Sequence, residues 1–173
     1  MQERIQYTLH QAGENSSELK KVLDHYQNQP EKLKAARFLI ANIPAHRTYV
    51  GKEIDSLKQM KKESIQQGRI SDEIVTHWKS FDYSSSQVVK DIDVIKADIL
   101  IENIDLAFEA WEKRSWSKQY SFEDFCEYVL PYRIGDEPLE KWRRIYYERY
   151  SPVLDSLYQG NDVVEAARVM ANY

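Results

Sequence analysis

Glycine and proline are scarce in this chain, and their scarcity constrains the fold more than any other feature. Each occurs five times in 173 residues. An all-β fold needs many tight turns, and these two residues supply much of the backbone geometry of such turns. Between the few turn signals, apolar residues recur at helical spacing. We therefore predict an all-α fold, an irregular orthogonal array of about seven or eight helices around a single core.

Local signals place the helix boundaries. Gly13 ends a first helix over residues 2–12, and Asn15 or Ser16 caps a second over residues 17–28. Pro30 is tolerated in the first turn of a third helix. Further helices are predicted at residues 30–42, 53–67, 71–81, 94–113, 121–130, 138–150 and 163–172. The helix that begins at Pro138 either ends at Tyr150 or continues past Pro152 with a kink. Residues 43–52 are predicted to form a loop, and residues 83–87 a polar break.

Size and charge narrow the classes of function. A chain of this length can bury a core without disulfides or metals, and a single helical domain over residues 1–173 is the default. The formal net charge of −4 argues against the clustered basic surface that nucleic-acid binding needs. The basic run at residues 58–62 has acidic neighbours, which indicates a solvated helix face. No apolar run approaches the length of a membrane span.

Cys126 is the only cysteine in the sequence. An intrachain disulfide and a zinc site built on several cysteines are therefore excluded. Cys126 lies in the middle of a predicted helix among aromatic residues, whereas reactive thiols are favoured at helix N-termini, where the dipole lowers the thiol pKa. We interpret Cys126 as a buried structural thiol. A nucleophile paired with a distant histidine is the alternative.

Five carboxylates lie on one stripe of the helix predicted over residues 94–113. Spacings of four and three residues bring them to one side: Asp98, Glu102, Asp105, Glu109 and Glu112. The stripe is either a cation site or a solvated, salt-bridged face. A di-iron site in a helical bundle needs Glu-x-x-His pairs, and the four histidines lie outside this helix. We predict ion pairs with basic residues such as Arg143, Arg144 and Arg149, and expect no metal and no cofactor.

Aromatic residues are concentrated between residues 108 and 150. Helical spacing favours a core position for one group: Phe125, Tyr128, Trp142, Tyr146 and Tyr150. Residues predicted to lie in loops form our candidate binding or docking surface, an exposed edge made of Trp116, Tyr120, Tyr132 and Arg133. Aromatic rings and arginines stack on sugars and on protein partners, which is why this edge is the candidate.

His46 lies in the predicted loop at residues 43–52. Loops on a rigid scaffold often carry function, but His46 has no acidic or nucleophilic neighbour in the sequence, so we interpret it as a loop contact. The sequence contains no glycine-rich phosphate loop, paired-cysteine motif or Gly-x-Ser-x-Gly motif. It therefore offers no recognisable catalytic residues.

Two stretches of the sequence resemble a known family. Residues 97–114 (ADILIENIDLAFEAWEKR) and 121–143 (SFEDFCEYVLPYRIGDEPLEKWR) are similar to the helical region ahead of the catalytic core in transglutaminase-like proteins of Bacteroides-type bacteria. Residues 12–27 and 33–47 resemble the opening helices of that region. The resemblance therefore covers most of the chain.

The resemblance implies a non-catalytic N-terminal domain of a longer protein. Members of the family carry a papain-like Cys-His-Asp core downstream, which acts by acyl transfer or amide hydrolysis through a thiolate. None of those catalytic positions maps onto this sequence, and Cys126 does not correspond to the family's nucleophile. The implied partner is the downstream domain of the same polypeptide, which this domain supports or orients. The resemblance also implies an extracytoplasmic location, in the periplasm or at the cell surface.

Two other functions stay open. One is an independent helical binding module that takes a glycan or a peptide on its exposed aromatics. An open aromatic groove favours that module, whereas a smooth surface with one apolar patch near the C-terminus favours domain docking. The other is a self-contained enzyme that uses Cys126 or the acid stripe.

Overall fold

The fold is all-α, as predicted. A computed structural model describes residues 1–67, 71–114, 116–133, 135 and 139–173. In this part of the chain there are ten α-helices, eight of them at least seven residues long, and one two-stranded sheet. The number of longer helices agrees with the predicted array of seven or eight.

The elements of the first half are mainly helical. They are α1 (Gln2–Gln11), α2 (Ser16–His25), α3 (Pro30–Asn42), β1 (Arg47–Val50), α4 (Lys52–Gln66) and α5 (Asp72–Ser80). Pro30 occupies the first position of α3, where its missing N–H has no intrahelical partner to lose. The bounds predicted for this helix are confirmed.

The second half begins with a strand and a short helix. Its elements are β2 (Gln87–Lys90), α6 (Asp91–Val94), α7 (Ala97–Lys113), α8 (Phe122–Asp124), a π-helical turn (Phe125–Val129), α9 (Trp142–Leu157) and α10 (Val163–Ala171). Residues 136–138, where we predicted the start of a helix at Pro138, lie outside the described residues. The α9 helix begins at Trp142 and continues through Pro152 to Leu157.

Polar side chains start two of the helices at the predicted places. Ser121 Oγ accepts the backbone N–H of Asp124 at 3.0 Å, and the Asp124 carboxylate accepts the N–H of Ser121 at 3.3 Å. Asp162 Oδ1 accepts the N–H of Val164 at 2.7 Å and caps α10. These contacts satisfy N–H groups of the first turn that have no partner within the helix.

A two-stranded antiparallel sheet corrects the predicted loop at residues 43–52. β1 pairs with β2, and Arg47 lies opposite Lys90. Each strand is four residues long. Such short segments carry too few positions for an alternating pattern to distinguish a strand from a loop.

Most of the buried apolar residues form one cluster around α7, and Ile54, Leu57 and Ile65 of α4 are buried outside it. The largest fully buried side chains of the cluster come mainly from α2, α3, α7, the π-helical turn and the residue directly after α2. They include Leu19, Tyr26, Ile40, Leu100, Ile104, Phe108 and Phe125. α9 contacts α7, α4 and α10, but among the residues of α9 only Ser151 is buried. The C-terminal helices therefore pack on the outside of this core and leave a concave surface beside α9.

Candidate functional site

The structure separates the four residues of the predicted exposed edge. Tyr120 is 40% exposed and Trp116 is half-buried. Tyr132 and Arg133 are only 3% and 4% exposed. The prediction of a common exposed edge is therefore wrong for Tyr132 and Arg133.

Tyr132 and Arg133 are buried because they enclose the carboxylate of Asp91. Arg133 Nη1 donates to both Asp91 oxygens, at 2.8 and 2.7 Å, and the Tyr132 hydroxyl donates to Oδ2 at 2.8 Å. Asp91 is fully buried, and a buried charge is costly unless it is paired and hydrogen-bonded. Burial and the Asp91 charge raise the pKa of Tyr132. Tyr132 and Arg133 therefore belong to a buried ion-pair cluster and not to an exposed edge.

His46 packs against the same cluster. Its ring meets the Tyr132 ring edge-on at 5.6 Å between centroids. Burial lowers the pKa of His46, opposed by the Asp91 charge and assisted by that of Arg133. The net effect disfavours the charged form of the imidazole.

Side-chain cations and one tyrosine hydroxyl pair with carboxylates of the acid stripe on α7. The pairs are Asp98 with Lys141 at 2.8 Å, Glu102 with Arg144 at 2.9 Å, Asp105 with Lys32 at 2.7 Å and Glu109 with the Tyr147 hydroxyl at 2.7 Å. The predicted partner Arg144 is confirmed, but Arg143 and Arg149 form no ion pair with the stripe in the described part of the chain. No group of three metal-ligating side chains occurs among the described residues. The stripe is a salt-bridged face.

Cys126 lies in the core, as predicted. Its thiol sits in the π-helical turn and belongs to a residue that is 3% exposed. Burial, with smaller contributions from Glu123 and Glu127, raises the pKa of the Cys126 thiol to about 11. A nucleophile needs the thiolate at neutral pH, so this environment opposes a catalytic role.

An open groove of about 670 Å³ runs along α9. We call it the aromatic groove, and its apolar lining includes Trp142, Tyr146, Tyr147, Tyr150, Leu154 and Met170. Trp142 and Tyr146 have ring centroids 6.1 Å apart, and Tyr146 and Tyr150 are 5.8 Å apart. The i, i+4 spacing thus produces a continuous row of rings on one side of the helix.

The predicted core position is wrong for several aromatic residues. Trp142, Tyr146 and Tyr150 are only partly buried, and Tyr128 is 79% exposed. Phe125 alone in that group is fully buried. Helical spacing indicates which side of a helix is apolar, but it does not indicate what covers that side.

Arg143 brings a partly buried positive charge to the groove. Its Nε donates to Asn103 Oδ1 at 2.8 Å, and its Nη2 donates to the carbonyls of Val129 at 2.6 Å and Pro131 at 3.1 Å. Its guanidinium carbon lies 4.7 Å from the centroid of the Trp142 ring. Burial lowers the pKa of Arg143 to about 10, so the group stays charged at neutral pH.

A second guanidinium, that of Arg114, also lines the groove. Arg114 Nη2 donates to Asp155 at 2.8 Å and to Ser151 Oγ at 2.8 Å, and Lys113 reaches the same carboxylate at 2.6 Å. These contacts lower the pKa of Asp155, with the Lys113 hydrogen bond as the largest cause. They fasten α9 to the end of α7, so the charge of Arg114 is already compensated.

Sequence reasoning missed two features of this region. Nothing in the sequence neighbourhood of Asp91 distinguishes a buried carboxylate from an exposed one. Helical spacing indicates Arg143 only as a partner for the acid stripe. The signal available was its position next to Trp142 at the start of an aromatic row.

Comparisons with known proteins place the chain in no group. No protein-family model matches it, and no curated protein or solved structure matches it. In the described residues, none of the helices has the length and apolar character needed to cross a membrane.

Proposed function

We propose that this chain is a non-catalytic helical domain that acts by binding, and that the aromatic groove holds a peptide segment. The observation that carries the proposal is the row of partly exposed rings on α9, which faces Met170 of α10. Concave apolar surfaces with a few polar groups are typical of ligand sites. Tyrosine, tryptophan and arginine dominate the binding energy of many protein interfaces.

The geometry favours a peptide over a glycan. Carbohydrate recognition by stacking needs an open aromatic face. The Arg143 guanidinium lies over the Trp142 ring and occupies one of its faces. The remaining lining combines tyrosines with Leu154 and Met170, and such aliphatic side chains suit the apolar side chains of a peptide.

In the setting that the sequence resemblance implies, the peptide segment belongs to the Cys-His-Asp core of a transglutaminase-like protein. The domain would then orient that core, and the protein would be exported. The support for this setting is the similarity of residues 97–114 and 121–143. Reading the native coding sequence past Tyr173 tests it. A downstream cysteine followed by histidine and aspartate supports the setting, and a stop codon contradicts it.

Binding arrays test the proposed function. The purified chain is applied to arrays of peptides and of glycans, and the affinity of peptide hits is measured for Tyr150→Ala and for Tyr128→Ala. We expect peptide hits whose affinity falls at least about tenfold in Tyr150→Ala, because an interface aromatic is lost. Tyr128→Ala, which removes an exposed tyrosine outside the groove, should bind as the wild type does.

Three results would contradict the proposal. The first is the absence of any peptide hit. The second is a set of hits that consists of glycans alone. The third is an equal loss of affinity in the two variants, which would show that the groove is not the binding surface.

A further inference from the structure

We propose that the aromatic groove selects a peptide carrying an acidic side chain, and that Arg143 recognises its carboxylate. This inference names the ligand class of the groove and rests on the proposed function. Three observations support it. Arg143 has only neutral partners among the described residues, the other charges near the groove are paired, and the groove lining is mainly apolar.

Among the described residues, the hydrogen-bond partners of Arg143 are all neutral. Arg133, which is almost fully buried, encloses the carboxylate of Asp91 at 2.7 Å. Arg143 has instead an amide oxygen and two backbone carbonyls, and in the described part of the chain no carboxylate forms an ion pair with it. A charge removed from water is costly unless an opposite charge compensates it. A carboxylate supplied by a ligand would provide that compensation.

Within the described part of the chain, Arg143 also retains donors for a ligand. A guanidinium has five N–H groups, and the known hydrogen bonds of Arg143 use Nε and Nη2. Among the described residues, none accepts a hydrogen bond from its Nη1. These donors belong to a side chain that lines the groove.

The neighbouring charges are already engaged. Arg114 pairs with Asp155, and Glu109 accepts the Tyr147 hydroxyl. Arg143 is therefore the charged group of the lining that lacks an ionic partner among the described residues. A carboxylate bound by Arg143 would form a charge-assisted hydrogen bond, which is stronger than one between neutral groups.

Matched peptides test this inference on the unmodified protein. Each peptide of the array is prepared with glutamate and with glutamine at the same position, and both forms are measured. We expect the glutamate form to bind about tenfold more tightly, the usual scale for a hydrogen bond between charged groups. Acidic and neutral glycans on the same array show whether the groove binds a uronate more tightly than a peptide carboxylate.

Two arginine variants assign the effect. Arg143→Gln should bind the two peptide forms equally, whereas Arg144→Gln should keep the preference. Arg144 is the matched control, because it follows Arg143 directly on α9 but contacts Glu102 and lines a separate cleft with α4. Circular dichroism shows whether each variant folds.

If Arg143→Gln fails to fold, side-chain NMR of the wild type replaces it. The Arg143 Nε–H resonance should shift with the glutamate peptide and remain in place with the glutamine peptide. Equal shifts would overturn the inference.

The outcomes separate this inference from the proposed function. Equal affinity for the two peptide forms, with binding still lost in Tyr150→Ala, overturns the acidic preference and leaves the groove as a peptide site. Absence of peptide binding overturns both. Binding of acidic glycans through Arg143 in place of peptides overturns the peptide as ligand.

Discussion

At the scale of single residues, the buried Arg133 and the partly buried Arg143 differ in what neutralises them. Arg133 has the carboxylate of Asp91, and Arg143 has only neutral acceptors among the described residues. Neither condition can be read from the sequence, because Asp91 lies 42 positions from Arg133. Only folding brings these two residues together. The sequence shows the residue types but does not reveal their roles.

Removing the charge of Asp91 should destabilise the fold strongly. In Asp91→Asn the Arg133 guanidinium would stay buried without its anion, so we expect the free energy of unfolding to fall by roughly 3 kcal/mol. Urea titration followed by circular dichroism measures this change. Asp93→Asn, an exposed position in the same short helix, is the control and should change stability by less than about 0.5 kcal/mol. Equal effects of the two substitutions would contradict the assigned role.

His46 should make the fold less stable in mild acid. Its pKa is lowered in the folded state, chiefly by burial, so the unfolded chain binds the proton more readily. The stability that neutral His46 contributes is therefore complete above about pH 6.5 and is lost as the pH falls through the folded-state pKa. Urea unfolding at pH 7.5 and pH 5.5 should show a smaller pH dependence in His46→Gln than in the wild type. His10→Gln, at an exposed position, should leave the pH dependence of stability unchanged. A larger reduction of this pH dependence in His10→Gln than in His46→Gln would refute the assignment.

At the scale of secondary-structure elements, helices with clear start signals were predicted well. Pro30 and Ser121 begin their helices as expected because each acts through its own backbone or its immediate neighbours. The strands were missed because β1 and β2 each have four residues and depend on pairing across the chain. Local signals determine local structure, and pairing between distant segments leaves little trace in a short stretch of sequence.

The capping box at Ser121 should contribute measurably to stability. Ser121→Ala removes the oxygen that accepts the Asp124 N–H, and we expect a loss of about 1 kcal/mol in the free energy of unfolding. Ser121→Thr retains a hydroxyl and should lose only a few tenths of that amount. Urea denaturation distinguishes the two variants. Equal stability of Ser121→Ala and the wild type would show that the cap is energetically neutral.

At the scale of the whole molecule, the fold class was predictable and the site was not. Helical periodicity and sparse turn residues suffice for an all-α fold. The aromatic groove exists because α10 and α7 flank α9 without covering its row of rings. That arrangement depends on how three helices pack, which the spacing of Trp142, Tyr146 and Tyr150 along one helix does not determine.

The well-buried helix α3 and the peripheral helix α10 should differ in amide hydrogen exchange. α3 buries five side chains, among them Leu39 and Ile40, whereas α10 buries Ala166 alone. We therefore expect amides of α3 to exchange at least about tenfold more slowly than those of α10, since local opening needs less apolar exposure at the periphery. Exchange followed by NMR or mass spectrometry measures both. Equal protection would indicate that the helices open as one cooperative unit.

The Asp91 and Arg133 pair also has a consequence for synthesis on the ribosome. Chain elongation proceeds from the N-terminus, so Asp91 is made 42 residues before the cation that neutralises it. Until then, burying this carboxylate carries a large desolvation cost. The nascent chain can assemble α1, α2 and α3 early, but β1 and α6 should stay open to water until Arg133 has left the exit tunnel. The Asp91–Arg133 ion pair thereby sets the earliest point during synthesis at which this domain can complete its fold.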